Sequence, residues 1–377
     1  MDFMSTFVGV GLGPIQTGIF LAGASKGGFS RIVIAEVNDK IKDAVNAAHS
    51  VTIHIAASDR VYSETYPNVE VWNPLIPEER AKLVQAASEA SELATALPSV
   101  KFFSSCAPWM REGFELRPEA RRFIYTAENN NHAAEELAAA VGKSFPNTFY
   151  LNTVVGKMSG VFEAVPGGRS PIAPGAGVGH LVEEFSRIYI SSCPGIETRQ
   201  VRSLYEKKDL YPFEEAKLYG HNAVHFLLGM LGKTRSCAFM SDLAQHPDLM
   251  AEARAAFVGE SGAALVKKYH GLQDELFTEK GFAEYADDLL KRMTNPFLKD
   301  AVSRITRDLE RKLGWDDRVI GTMRLVLSQG FEPANFAVGA RLALAEFAGE
   351  SDKKAVLEKL WPKPWSAEHD AIASRIL

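Results

Sequence analysis

The chain has 377 residues, and its 46% hydrophobic and 24% charged side chains describe a folded protein long enough for two cores, not a disordered one. With 47 acidic against 42 basic side chains the formal charge is −5, which gives no general attraction to nucleic acid or to an anionic membrane. Cys106, Cys193 and Cys237 are far apart and form no Cys-x-x-Cys pair, which excludes a disulfide framework and a structural zinc site as leading readings, and no apolar run reaches the ~18–20 residues that span a bilayer.

In chain order, residues 6–11 read as a short buried strand that runs into glycines and then a helix from Ile15 to Ala22. The apolar start lacks a basic leader and reads as a first strand instead of a secretory signal, so the expected location is the cytoplasm. Arg31–Glu36 is a second strand and Asp39–Ala48 a helix. Further strands are expected at Val51–Ile55, Val69–Val71, Val100–Ser104, Arg122–Thr126 and Phe149–Val155. Strands alternating with helices imply crossover units and a mainly parallel sheet. After the Gly/Pro-rich segment Val165–Val178, helical patterns take over: Glu214–Leu231, Leu249–Lys268, Gly281–Met293, Lys299–Leu313, Asp317–Ser328 and Pro333–Ala348. The expected class is therefore α/β: an N-terminal Rossmann-like, mainly parallel sheet domain (1–190) followed by a mostly α-helical domain (191–377).

The first strand delivers Gly9-Val-Gly11-Leu-Gly13-Pro-Ile15-Gln16-Thr-Gly18 into a helix. Such a turn lets backbone amides approach a pyrophosphate at a helix N-terminus. The spacing is imperfect, because Gln16 stands where the third glycine of the fingerprint belongs. Glu36, at the end of the next strand, supplies the carboxylate that accepts from ribose hydroxyls and repels a 2′-phosphate, which favours NAD over NADP. Asn38 could support the same ribose or cap the Asp39 helix.

The second signal is Glu214-Glu-Ala-Lys217-Leu-Tyr-Gly-His221-Asn222-Ala-Val-His225. At about 100° per residue Lys217, His221, His225 and Asn222 fall near 0°, 40°, 80° and 140°, on one side of an apolar helix. A desolvated lysine loses affinity for its proton and can serve as general acid/base, and an amide can donate to a developing alkoxide. An internal hydrogen-bonded network would use the same residues. His221 and His225 at i,i+4 could hold a metal, but Asn222 stands where a zincin carries its glutamate.

These motifs resemble the polyol-specific long-chain dehydrogenases, the mannitol dehydrogenase family, from the glycine turn to about Gly330. Lys217, Asn222 and His225 match the family's Lys-x4-Asn-x2-His signature. The resemblance implies that Lys217 is the general acid/base and that Asn222 and His225 bind the reacting oxygen and neighbouring hydroxyls. Glu128-Asn129 matches an acidic-Asn pair whose asparagine completes that set; unaided, Asn129–Asn131 reads as an N-cap cluster. Ser104-Ser105-Cys106-Ala-Pro108 resembles the loop beside the cofactor, so Gly11, Gly13, Ile15, Gln16, Glu36, Asn38, Ser105 and Cys106 are the implied NAD contacts. Gly259–Lys268 and Asn295–Asp300 also resemble family segments. Arg304 and Lys312 correspond to a basic pair at the substrate's distal end; unaided, they belong to a solvated helix face. The family's Val-Asp-Arg appears here as Val155-Gly156-Lys157, without its aspartate.

The implied activity is metal-independent hydride transfer between NAD and a polyol, such as mannitol 1-phosphate, with fructose 6-phosphate as the keto sugar. The substrate is expected between the sheet and the helical domain. No nucleic acid, membrane or metal partner is expected, and the assembly is a monomer or a weak homo-oligomer. An unphosphorylated polyol or a hexuronate is the alternative substrate, and a non-catalytic NAD-sensing protein is the rival of another class.

Overall fold

The computed structural model describes residues 5–165 and 167–377. It divides into two compact units, Met1–Tyr211 and Pro212–Leu377.

Among its described residues the first unit carries twelve strands: β1 (Thr6–Val10), β2 (Arg31–Ala35), β3 (Ser50–Ala56), β4 (Val61–Pro67), β5 (Val69–Trp72), β6 (Ala90–Thr95), β7 (Arg122–Thr126), β8 (Thr148–Val154), β9 (Ser159–Glu163), β10 (Val178–Glu183), β11 (Ile188–Ser191) and β12 (Leu204–Lys207). Eight form one sheet in the order β12-β11-β8-β7-β6-β1-β2-β5. It is parallel except where β11 meets β8. The fold is therefore the expected α/β class, a mainly parallel sheet with crossover helices and a helical second unit. Strands β1, β6 and β7 are buried almost throughout, as parallel strands covered on both faces must be. A second sheet, β4-β3-β10-β9, takes in the segment around 165–178 as the connection between β9 and β10. Because β11 and β12 complete the large sheet, the first unit runs past residue 190 to Tyr211.

One expected strand is absent. Residues 100–104 begin a single 3-10 turn, Val100–Phe102, and then the helix Phe103–Leu116, with Pro108 inside it. The strand in this part of the chain is β6, Ala-Ser-Glu-Leu-Ala-Thr, paired on both sides by β1 and β7. Glycine holds two close approaches near the turn after β1. Gly11 has φ +80°, which favours glycine. A Cβ on Gly18 would stand 2.7 Å from Cγ1 of Val182, so the helix lies against β10 only without one.

The second unit packs its helices around the buried segment Ala223–Thr234. Two stretches are π-helical, Ala216–Asn222 and Ala255–Gly262. A Cβ on Gly229 would come within 2.9 Å of Ile305, which brings the short helix Val302–Thr306 tightly onto Ala223–Thr234. Glu260, 5% exposed, accepts from Asn335 N at 2.7 Å, Asn335 Nδ2 at 2.6 Å and Phe336 N at 3.1 Å. It thereby satisfies the first amides of the helix Ala334–Ala348 from another element. Replacing Glu260 with alanine leaves those donors unpaired and is expected to cost about 2 kcal/mol, read as a lower midpoint in urea unfolding. Among the described residues no helix is long and apolar enough to cross a membrane.

Candidate active site

A cleft of about 490 Å³ opens in the first unit where the turn after β1 meets the ends of β2 and β6. Gly11, Gly13, Ile15, Glu36, Ser105 and Cys106 all line it. Glu36 is held from both sides: Leu12 N donates to Oε2 at 2.8 Å and Asn38 N to Oε1 at 2.9 Å. A carboxylate has roughly four acceptor positions, so these bonds orient it and leave capacity for a ligand. Val37, Pro74 and Phe102 add an apolar wall.

The remaining expected contacts lie elsewhere. Asn38 accepts from Ile41 N at 3.2 Å and caps the Asp39–Ala48 helix. Gln16 is fully buried and packs on Gly9, whose added Cβ would fall 2.2 Å from Nε2. Its amide oxygen and nitrogen both lack a hydrogen-bond partner among the described residues. Ser105 and Cys106 reach the cleft from the first turns of the Phe103–Leu116 helix, not from a loop. Burial, with the charge of Glu128 behind it, pushes the Cys106 thiol up to about 12, so it is inert. Glu128 accepts from Thr95 Oγ1 at 2.9 Å and from Leu97 N at 2.8 Å, and so holds the chain that follows β6. Asn129, next to it, is exposed in the turn after β7.

In the second unit Lys217 and Asn222 occupy the π-helical stretch Ala216–Asn222, which continues into Ala223–Thr234 with His225. Hydrogen bonds from i to i+5 widen this helix and carry Asn222 closer to the meridian of Lys217 than regular α geometry does. Lys217 is partly exposed, and its ammonium makes no hydrogen bond or ion pair among the described residues. Desolvation of the amine and repulsion from Arg318 bring it down to about 8, against the attraction of Glu214. His221 is buried, and burial together with His225, Arg292, Lys217 and Arg318 holds its ring far below the ordinary histidine range. It is neutral and lies with its ring centre 6.0 Å from that of His225. Among the described residues no group of three or more His, Cys, Asp or Glu could hold a metal ion.

His225 Nε2 lies 3.3 Å from Asp300 Oδ2. The other oxygen of Asp300 accepts from Arg304 Nε at 2.8 Å and pairs with Nη2 at 2.7 Å. Burial raises the Asp300 carboxyl, but His225 and Arg304 outweigh it and hold it below the usual range. The Arg304 side chain is 48% exposed. Lys312 is different: its ammonium is buried and donates to Ile305 O at 2.6 Å and to Arg307 O. Burial, then Arg318 and Arg311, lower it to about 8.

Residues 209–371 match the family model described as the mannitol dehydrogenase C-terminal domain. Over nearly the whole chain the mannitol-1-phosphate 5-dehydrogenase of Exiguobacterium sp. is 25% identical across 354 residues, 92% of this chain and 87% of that protein. The C-terminal part of the chain is thus similar to the mannitol dehydrogenase family. Solved structures of similar fold include a D-sorbitol dehydrogenase in substrate-free form, with TM-score 0.70 at 13% identity, covering 93% of this chain and 82% of that one. Another is the mannitol 2-dehydrogenase of Pseudomonas fluorescens, solved as a ternary complex with NAD and D-mannitol, with TM-score 0.64 at 12% identity, covering 100% and 88%. The domain shared with the mannitol dehydrogenase family holds the lysine, both histidines and the Asp300–Arg304 pair. Asp300 and Arg318 carry no role in the reading of the sequence alone. The i,i+4 spacing of Asp300 and Arg304 is the signal that could have paired them; nothing in the sequence places Arg318 beside Lys217. Lys157, in place of the family's arginine, is buried and donates to Phe185 O at 2.7 Å and Ser186 Oγ at 2.9 Å.

Proposed function

We propose that this chain is a polyol dehydrogenase that uses NAD and a lysine acid/base, and that its substrate is a polyol phosphate of the mannitol 1-phosphate type. The observation that carries the reading is Lys217: an unpaired ammonium lowered to about 8, five residues from Asn222 and eight from His225. A general acid/base works best when its proton affinity lies near the working pH.

The cleft of the first unit fits a dinucleotide. The point where Gly13 would carry a Cβ has nothing within 4 Å, so a side chain there would fill the space a pyrophosphate needs. The backbone of Gly11 and Gly13 and the carboxylate of Glu36 would hold NAD, which supplies the hydride acceptor in oxidation and the donor in reduction. Lys217 takes the hydroxyl proton as the alcohol becomes a ketone and returns it in the reverse direction. Asn222 donates a hydrogen bond to the oxygen as its negative charge grows. His225 hydrogen-bonds a neighbouring hydroxyl. Arg304, with half its side chain open, is the cation for a distal phosphate. Lys312 has two of its three N–H groups committed to carbonyls and mainly braces the turn that carries Arg304.

The test is NADH oxidation with fructose 6-phosphate, fructose and fructuronate in parallel, repeated with NADPH. The expected order places fructose 6-phosphate with NADH first. A preference for fructose or fructuronate removes the phosphate role of Arg304 and leaves the rest of the scheme standing. NADH binding by fluorescence with no turnover on any substrate makes the protein a sensor.

A further inference from the structure

We infer that Asp300 is a positioning residue that fixes the tautomer of His225, placing the ring proton on Nε2 and the lone pair on Nδ1, while its other oxygen clamps Arg304. The inference rests on the reading above only for its kinetic consequence; the tautomer itself follows from contacts within the second unit.

The geometry leaves little choice. Asp300 Oδ2 and His225 Nε2 are both buried, face each other at 3.3 Å, and have no hydrogen-bond partner among the described residues. At that separation the pair is in contact but not aligned, and a modest turn of the imidazole brings N–H onto oxygen. A buried carboxylate oxygen without a donor is costly, and so is a buried ring nitrogen without a partner. One proton on Nε2 satisfies both. The alternative, a proton on Nδ1, sets the Nε2 lone pair against the negative oxygen and satisfies neither.

Asp300 is also held firmly enough to dictate the orientation of a neighbour. Its carbonyl accepts from Met240 N at 2.8 Å, and Val302 N donates to Ala238 O at 3.0 Å. Lys299, immediately before it, has φ +50°, a conformation a lysine adopts only where the surrounding structure demands it. Arg304 occupies Oδ1 through two nitrogens, so Oδ2 is the oxygen left for His225. The carboxylate therefore joins the imidazole that binds a substrate hydroxyl to the cation proposed for the distal phosphate. With its lone pair on Nδ1, His225 accepts from a hydroxyl instead of donating to one. That selects polyol substrates carrying a free O–H at the position next to the reacting carbon.

The test is the ¹⁵N spectrum of the imidazoles in the full-length protein, with His225 assigned by comparison with His225→Gln. The wild type is expected to show a protonated Nε2 and an unprotonated Nδ1. In Asp300→Asn, Arg304 keeps the amide oxygen and the amide NH₂ faces His225, so the proton is expected to move to Nδ1. Arg304→Gln is expected to leave the proton on Nε2. If Asp300→Asn does not fold, the wild-type spectrum alone decides. A wild-type ring protonated at Nδ1, or a ring unchanged in folded Asp300→Asn, overturns the inference. In turnover, Asp300→Asn is expected to lower kcat by about 10- to 100-fold with a smaller effect on KM, the size of one misdirected charge-assisted hydrogen bond. Unchanged kcat in a folded variant whose tautomer has flipped overturns the kinetic half. If the wild type turns over no ketose at all, the polyol reading fails while the spectrum still settles the role of Asp300.

Discussion

Replacing Lys217 with alanine is expected to lower kcat at least about 100-fold in both directions, because its amine is the proton carrier of the proposed scheme. Asn222 has no titrating proton, and His221 is buried and stays neutral. The sign of the pH dependence follows from the lowered ammonium. Oxidation needs the free amine, so its rate rises with pH and levels off above about 8. Reduction needs the ammonium, so its rate falls as pH climbs through the same value. Lys217→Arg retains the charge but cannot release it, so oxidation is lost while cofactor binding persists. Rates measured at several pH values with both variants check this, and near-normal turnover by Lys217→Ala throughout refutes the acid/base role.

The second large effect concerns Glu36. Exchanging it for serine is expected to reduce the preference for NADH over NADPH on the order of 100-fold, since hydrogen bonds to a charged acceptor and repulsion of a 2′-phosphate disappear together. The bonds from Leu12 N and Asn38 N complicate a simple deletion, because the turn itself loses a brace. Glu36→Gln separates the two contributions: it keeps an acceptor for the turn and removes only the charge. If Glu36→Gln preserves the full NADH preference, the carboxylate acts on the turn and not on the cofactor. Steady-state KM values for both cofactors provide the measurement.

The parts of this protein that sequence reasoning reached are those where local chemistry and tertiary structure agree. Thr6–Val10, Arg31–Ala35 and Arg122–Thr126 are short apolar runs bounded by glycine or charge, and they are strands. Ala90–Thr95 carries alanine, glutamate and leucine, all helix formers, yet it lies in the middle of the sheet because β1 and β7 pair with it on both sides. The run at 100–104 shows the converse. A four- or five-residue apolar stretch does not distinguish a strand from a buried helix start, and here the helix runs on through Pro108. At the site, the glycine turn and Glu36 were legible because backbone reach and charge are properties of single positions. The commitment of Lys312 to two carbonyls was not, since it depends on how residues 305–312 fold back on themselves. The contact between Asp300 and His225 spans 75 positions in the chain, and only packing of Val302–Thr306 on Ala223–Thr234 brings the two together.

The widened stretch from Ala216 to Asn222 ties the chemistry to a length as well as to side chains. A π-turn holds one more residue than the α-turn it replaces, so everything downstream is rotated by about 100° relative to an uninterrupted α-helix. Wound instead as a regular α-helix, the same residues would set Lys217 and Asn222 about 140° apart. The amine would then swing away from the amide even though every functional residue were retained. The winding of those few positions, as much as the identity of the lysine itself, therefore decides which groups share a face.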